Sequence, residues 1–260
     1  MSWIITGTQK HNWTPAEIDT ALWLDAADAS TITESGGAVS QWDDKSGNAR
    51  HLSQATAADQ PTYLPTGFNS LPTISFDGTN DFLKNASYQP TGAITCFLAA
   101  ERTSGSPLGT MLLVKTSSFF EIIAGPGTDS YRDFTFTATA SASPQAIDVT
   151  ASTTSPFILG VQYDGNGTTS SDYVARFNGS NETLTAGGAL GYQSETGFAV
   201  GRRPVQGNVP FDGKISELVF INNQSSLPDQ QKIEGYLAHK WGLTADLPAG
   251  HPYKTAVPVP

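Results

Sequence analysis

The side chains able to do chemistry in this chain are mostly carboxylates, and their spacing decides what they could do. Asp77-Gly78-Thr79-Asn80-Asp81 offers three hard oxygen donors, Asp77, Asn80 and Asp81, within one turn. That is the donor type calcium takes, and Asp164-Gly165-Asn166 is a second loop of the same kind. Both are also ordinary hairpin turns in which Asp and Asn cap their own backbone, and the turn reading carries more weight. Glu17-Ile18-Asp19 opens the alternation by which carboxylates on one strand of a polysaccharide hydrolase point into one cleft. No second glutamate arrives, because Thr20-Ala21-Leu22 follow. The stretch is also a capping box, Thr14-Pro15-Ala16-Glu17, with proline at the first helical position. Residues two apart on a helix do not share a face, so Glu17 reads as a cap and Asp19 as solvated. Glu34, Glu101, Glu121, Glu182, Glu195, Glu217 and Glu234 stand singly. No catalytic residue is assigned, and an enzyme is not expected.

Other chemistries lack their signatures. There is no His-Glu-x-x-His and no cysteine cluster, so calcium is the one candidate cofactor and zinc is not expected. His11, His51, His239 and His251 are dispersed, and no Gly-x-Ser-x-Gly elbow occurs. The glycine pairs Gly125/Gly127 and Gly165/Gly167 open no helix and lack a following lysine, which argues against nucleotide binding. The single cysteine, Cys96, lies in the apolar run Ile94–Ala100, so no intrachain disulfide can form and a buried structural thiol is expected.

The elements that must carry these residues are mostly short strands. A chain of 260 residues buries a sizeable core without a staple. Charged residues are only 15%, with Gly 25 and Pro 16, a mix suited to strands joined by polar turns. Period-two or short apolar runs predict strands at Val39–Trp42, Thr73–Phe76, Ile94–Glu101, Met111–Lys115 and Phe119–Ala124. Further strands are predicted at Arg132–Thr137, Phe157–Tyr163, Tyr173–Phe177, Phe198–Gly201 and Lys214–Ile221. A short helix is expected over about residues 15–20. A longer one runs from the cap Ser226 to Gly242, with Ile233, Tyr236, Leu237, Lys240 and Trp241 on one face. It is expected to lie across one end of the fold. Residues 138–156, rich in Ser, Thr and Ala, read as a loop or a polar-faced edge hairpin, and the tail to Pro260 as extended. Strands at near-regular spacing without alternating helices predict an all-β, two-sheet antiparallel jelly-roll sandwich.

The excess of 24 acidic over 14 basic side chains, net −10, opposes phosphate backbones and anionic lipid, so neither nucleic acid nor membrane is an expected partner. No apolar stretch is long enough to span a bilayer. Residues 1–20 show no basic start followed by an apolar core, so no signal peptide is expected. The chain, starting Met1-Ser2, reads as translated in a cytosol and left whole.

Three stretches together resemble a known family. The first is Leu22-Trp23-Leu24-Asp25-Ala26-Ala27-Asp28 followed by Val39-Ser40-Gln41-Trp42-Asp43-Asp44-Lys45-Ser46-Gly47-Asn48. The second is Ile74–Leu83. The third joins Phe211–Phe220 to Gly235–Leu243 and Leu247–Tyr253. They look like the laminin-G-like, concanavalin A-like jelly-roll domains of bacterial surface proteins and bacteriophage structural proteins. The resemblance covers about residues 14–255, which leaves residues 1–13 as an N-terminal arm and 256–260 as an extended tail.

The family is mostly a binding and adhesion module, and several members bind calcium at a sandwich edge. The resemblance therefore implies a non-enzymatic virion surface protein, either a head decoration or spike or a tail attachment component. Its expected partners are cell-surface glycans and other virion proteins or copies of itself. The alternative is a bacterial lectin or carbohydrate-binding module at the cell surface, with a polysaccharide-active enzyme third. A sugar site needs an aromatic face and amide or carboxylate partners. Composition and resemblance together select Tyr192, Tyr131, Arg202 and Arg203 for it, with Trp13, Tyr63 and Phe68 as further aromatic residues in loop-like surroundings. Trp3, Ile4 and Ile5 would anchor the arm to a neighbouring subunit, against the plainer reading of a first edge strand.

Overall fold

The computed structural model describes residues 12–103, 109–115, 119–125, 133–137, 145–149, 153–165, 169–186, 197–202 and 209–260. The strands in chain order are β1 (Leu22–Asp25), β2 (Ile32–Ser35), β3 (Ala38–Trp42), β4 (Leu52–Ser53), β5 (Thr62–Leu64) and β6 (Thr73–Asp77). Next come β7 (Leu83–Asn85), β8 (Ile94–Arg102), β9 (Gly109–Lys115), β10 (Phe119–Ala124), β11 (Phe134–Thr137) and β12 (Gln145–Ile147). The series closes with β13 (Phe157–Tyr163), β14 (Tyr173–Phe177), β15 (Ser180–Asn181), β16 (Thr185–Ala186), β17 (Gly197–Val200), β18 (Asp212–Ile221) and the helix α1 (Leu227–Trp241).

The strands form two antiparallel layers, as the alternation predicts. One layer runs β15-β14-β13-β8-β18. On the far edge of β18, β6 and β1 pair successive stretches, and β5, β3 and β2 continue beyond β6. The other layer runs β4-β7-β17-β9-β10-β11-β12-β16. Between the layers Cys96, Leu98, Leu159, Leu218 and Phe220 meet Leu112, Val114, Ile122, Phe134, Phe136 and Phe198 in one buried cluster. Trp42 is fully buried there. Burial pushes the Cys96 thiol well above its ordinary value, in keeping with an inert packing role.

The helix sits elsewhere than expected. It packs on the outer face of the first layer, not across an end of the sandwich. Ile233, Leu237 and Trp241 bury against Phe97, Ala99, Ile158, Val219 and Trp23. The cause is a second apolar face on that layer, which must be covered. A bulge in β18 builds that face. Ile215 opposes Ala100 but Glu217 opposes Ala99, so Ser216 is the extra residue. The bulge turns Glu217, Val219 and Ile221 toward the helix and leaves Leu218 and Phe220 in the core. The helix ends are those the sequence announces. The Ser226 side chain accepts the Asp229 N–H at 3.3 Å, and Gly242 takes the left-handed φ of 77° that closes the last turn.

Two other expectations shift. The 15–20 helix is only a 3₁₀ turn over Pro15–Glu17, because β1 begins at Leu22 and pulls the chain straight. In the 138–156 stretch, Gln145, Ala146 and Ile147 form a buried strand between β11 and β16 and not a polar hairpin. No helix among the described residues is long and apolar enough to cross a membrane.

Candidate functional site

Several chain segments converge at one end of the sandwich. The loop from β6 to β7 carries Asp77, Asn80 and Asp81. Asp77 Oδ1 accepts the N–H groups of Thr79 (2.8 Å) and Asn80 (3.3 Å), and Asp81 Oδ2 accepts the N–H of Asp77 (3.0 Å). The Asn80 amide donates to Asp59 Oδ1 at 2.7 Å and to the Ala58 carbonyl. These are the contacts of a self-capped turn. Among the described residues, no three of His, Cys, Asp and Glu are placed to hold a metal ion.

The connection leaving β17 comes against this loop because residue 201 is glycine. Gly201 has a φ of 93°, and a Cβ there would lie 2.3 Å from the Phe76 ring and 2.9 Å from the Asp81 carbonyl oxygen. Arg202 is thereby set with its guanidinium carbon 4.8 Å from the centre of the Phe82 ring. Its Nε is buried without a hydrogen-bond partner among the described residues. Asp212 opposes Asp77 at the start of β18, and the Gly78 N–H donates to Phe211 O at 3.2 Å.

The electrostatics of this end are uneven. Burial pushes the Asp81 carboxyl up to about 6, the charges of Asp77 and Asp59 push the same way, and the Asp77 N–H and Arg202 oppose them. Nearby, burial raises Asp133 and lowers Arg102, while the charges of Asp133 and Asp212 work to keep Arg102 protonated. Carboxylates, an amide and a guanidinium over an aromatic ring thus share one surface. Such a set can accept and donate hydrogen bonds to neighbouring hydroxyls.

The structure places the candidate residues unequally. Asp77, Asn80, Asp81 and Arg202, chosen for two different ligands, come together at this one end. Tyr131, Tyr192, Arg203, Trp3, Ile4 and Ile5 lie outside the described residues, as does Asn166. Trp13 and Phe68 are buried against α1, and Tyr63 is half-buried on β5. Glu17 caps the Thr14 N–H at 2.9 Å, and Asp19 is exposed. Phe82 and Asp59 were not picked out by sequence reasoning. Phe82 sits inside the second family stretch, next to Asp81, and adjacency to that loop was the signal available.

A second charged region lies beneath α1 and draws on the first and third family stretches. Glu217 is fully buried and accepts from the Trp23 indole (2.7 Å), the Tyr236 hydroxyl (2.8 Å) and the Trp241 indole (2.7 Å), with Lys240 at 2.8 Å. Asp25 binds Lys240 at 2.5 Å and Lys45 at 2.8 Å, and Lys45 also meets Asp28 at 2.9 Å. Burial, with the charges of Glu217 and Asp25 behind it, drives the Tyr236 phenol far above its ordinary value, so it stays a donor. Farther along the helix, Glu234 takes two hydrogen bonds from Arg176 (2.5 and 2.9 Å) and one from His251 Nε2 (3.1 Å). The His251 Nδ1 accepts the Tyr253 N–H at 3.2 Å, which assigns its proton to Nε2. The sequence signal for this network was two buried indoles, whose N–H groups must find acceptors.

No protein-family model matches the chain, and no curated protein matches it either. Solved structures do resemble it. Trypanosoma rangeli sialidase in complex with sialic acid is 8% identical, with a TM-score of 0.55, over 85% of this chain and 33% of that one. A mutant of the same sialidase displaying trans-sialidase activity gives 11% identity and a TM-score of 0.52 over 81% and 32%. The receptor binding domain of botulinum neurotoxin mosaic serotype C/D gives 11% identity and a TM-score of 0.48 over 85% and 51%. The chain therefore spans about a third of the length of the sialidases. Likeness at this identity establishes the all-β sandwich fold.

Proposed function

We propose that the chain is a non-enzymatic carbohydrate-binding sandwich that attaches a larger assembly to glycans, through the end that carries Asp77–Asp81 and Arg202. The observation that carries this reading is Arg202 stacked over Phe82 beside a buried carboxylate whose charge is poorly neutralised. Sugars are recognised by carboxylate, amide and guanidinium groups that pair with hydroxyls, and this end supplies all three in Asp77, Asn80 and Arg202. The sialidase that shares the fold was solved with sialic acid. Sialylated glycans are therefore the first class to screen, with Arg202 as the group that would meet a sugar carboxylate.

The assembly we favour is a bacteriophage particle, with the chain on the virion surface as a head decoration, a spike or a tail attachment component. That finer reading rests on the motif resemblance. A bacterial lectin or carbohydrate-binding module is the alternative. Calcium at Asp77, Asn80 and Asp81 stays part of the proposal as an accessory to glycan binding.

Binding of the purified chain to immobilised glycans tests the site. Arg202→Ala should lower affinity at least tenfold with an unchanged melting temperature. Equal binding by this variant would move the site elsewhere. A polysaccharide incubated with the chain should release no reducing ends; release would make the chain an enzyme.

A further inference from the structure

We propose that a cavity between α1 and the two chain ends receives the apolar arm residues Trp3-Ile4-Ile5 of a second copy of this chain. The inference rests on the particle half of the function proposed above, not on its glycan half.

The cavity has a volume of about 340 Å³ and is walled by Asn12, Trp13, Thr14, Tyr236, Val257 and Pro258. That volume lies at the lower end of the range for ligand pockets, suited to one or two large side chains. The wall is firmly built. Trp13 is buried, meets Tyr236 edge-on at 6.2 Å, and its backbone N–H donates to the Pro258 carbonyl at 3.0 Å. The rim is apolar and uncovered. Val257, in that wall, is 37% exposed and is one of the few large apolar side chains left in water among the described residues. Lys240 and His239 also border the cavity, but Asp25 and Glu217 already hold the lysine's charge and His239 Nε2 is bonded to the Tyr253 carbonyl at 2.9 Å. What remains open calls for an apolar occupant and not for an anion.

The occupant is argued from where the chain enters. Residues 1–11 precede Asn12, which forms the rim, and Trp3-Ile4-Ile5 is an apolar triplet among them. Lys10 is the only lysine, arginine or carboxylate side chain in that segment, so the triplet carries no side-chain charge into the cavity. The residues from Thr6 to His11 can span roughly 20 Å when extended, enough to reach a neighbour. The chain's own arm is the competing occupant, and linkage confined to one chain in the test below would reveal it. An arm of one copy in the cavity of the next is a head-to-tail contact. Repeated, it closes a ring or extends along a shell.

Crosslinking tests this directly. Ile4→Cys and Val257→Cys are placed on separate chains, one of them mass-tagged, then mixed and mildly oxidised. Cys96 is fully buried and does not compete. The expected product is a mixed dimer whose digest contains the peptide joining positions 4 and 257. Ile4→Cys mixed with Val174→Cys, at an exposed position on β14, should give at least tenfold less. No linked peptide, or equal yield with Val174→Cys, would overturn the proposal. So would linkage found only within one chain when both cysteines are on it. Light scattering of the intact chain should show self-association that a Trp3→Ala/Ile4→Ala/Ile5→Ala variant loses without a change in melting temperature. A wild type that stays monomeric up to millimolar concentration would also overturn it. Crosslinking without glycan binding would remove only the glycan reading; glycan binding without crosslinking would remove only this one.

Discussion

The charges under α1 and those at the loop end of the sandwich obey different rules. Beneath the helix each carboxylate has its donors: Glu217 has two indoles, a phenol and an ammonium, and Glu234 has a bidentate guanidinium and an imidazole. At the loop end the acids outnumber the cations facing them among the described residues, and Asp81 is held close to the point of protonation. A buried charge with complete partners is scaffold, because nothing is left to offer a ligand. A crowded acid with an incomplete answer offers unspent hydrogen bonds, and it makes that end the place to look for binding.

The comparison can be broken by substitution, and the largest effect belongs to the helix side. Glu217→Leu leaves Lys240 with Asp25 as its one carboxylate partner and orphans two indole N–H groups and a phenol. The loss should be about 3–5 kcal/mol in denaturant unfolding. A loss under about 1 kcal/mol would show that the network is not what fixes α1. Arg176→Met leaves Glu234 with His251 alone and should cost about 3 kcal/mol by the same measurement.

The loop end should respond more weakly. Asp77→Ala removes the cap on Thr79 and Asn80 and should cost about 1 kcal/mol. Asp81→Asn should act in the opposite direction. The folded-state value of Asp81, about 6, lies above the ordinary 3.8, so the folded chain holds its proton more tightly than the unfolded chain. This group's contribution to stability therefore falls as pH rises from about 4 through 6, and the penalty is complete above about 7. Asparagine keeps an oxygen for the Asp77 N–H and cannot ionise. The variant should be more stable than wild type by up to about 1 kcal/mol at pH 8 and should lose that advantage near pH 4. Melting curves at both pH values check the sign.

The layers and the helix were legible because their signals are local. β10, β13 and β14 fall on the predicted residues, since each apolar run ends at a turn residue or a polar break. Ser226, Pro228 and Gly242 bracket α1 for the same reason. The Glu217 network was not legible as a network. The phase break between Ile215 and Leu218 is visible in the sequence, but only the bulge at Ser216 shows that it points a carboxylate at the helix. Trp23 and Trp241 bury their rings among apolar neighbours, while their N–H groups depend on a partner distant in sequence. The loop end was half legible. Asp77–Asp81 declares itself as a turn, but its meeting with Arg202 depends on β6 pairing with β18 and on the close approach that Gly201 permits. No short-range pattern encodes either.

The most direct test of carbohydrate binding at the loop end is one glycan and host-envelope screen, run with calcium and with chelator on wild type and Arg202→Ala. Saturable wild-type binding that the variant loses at unchanged melting temperature is the expected result. Loss in chelator as well would show a calcium requirement and make Asp77, Asn80 and Asp81 the residues to substitute next. No binding to any surface in either buffer, or binding that ignores Arg202, would contradict the assignment.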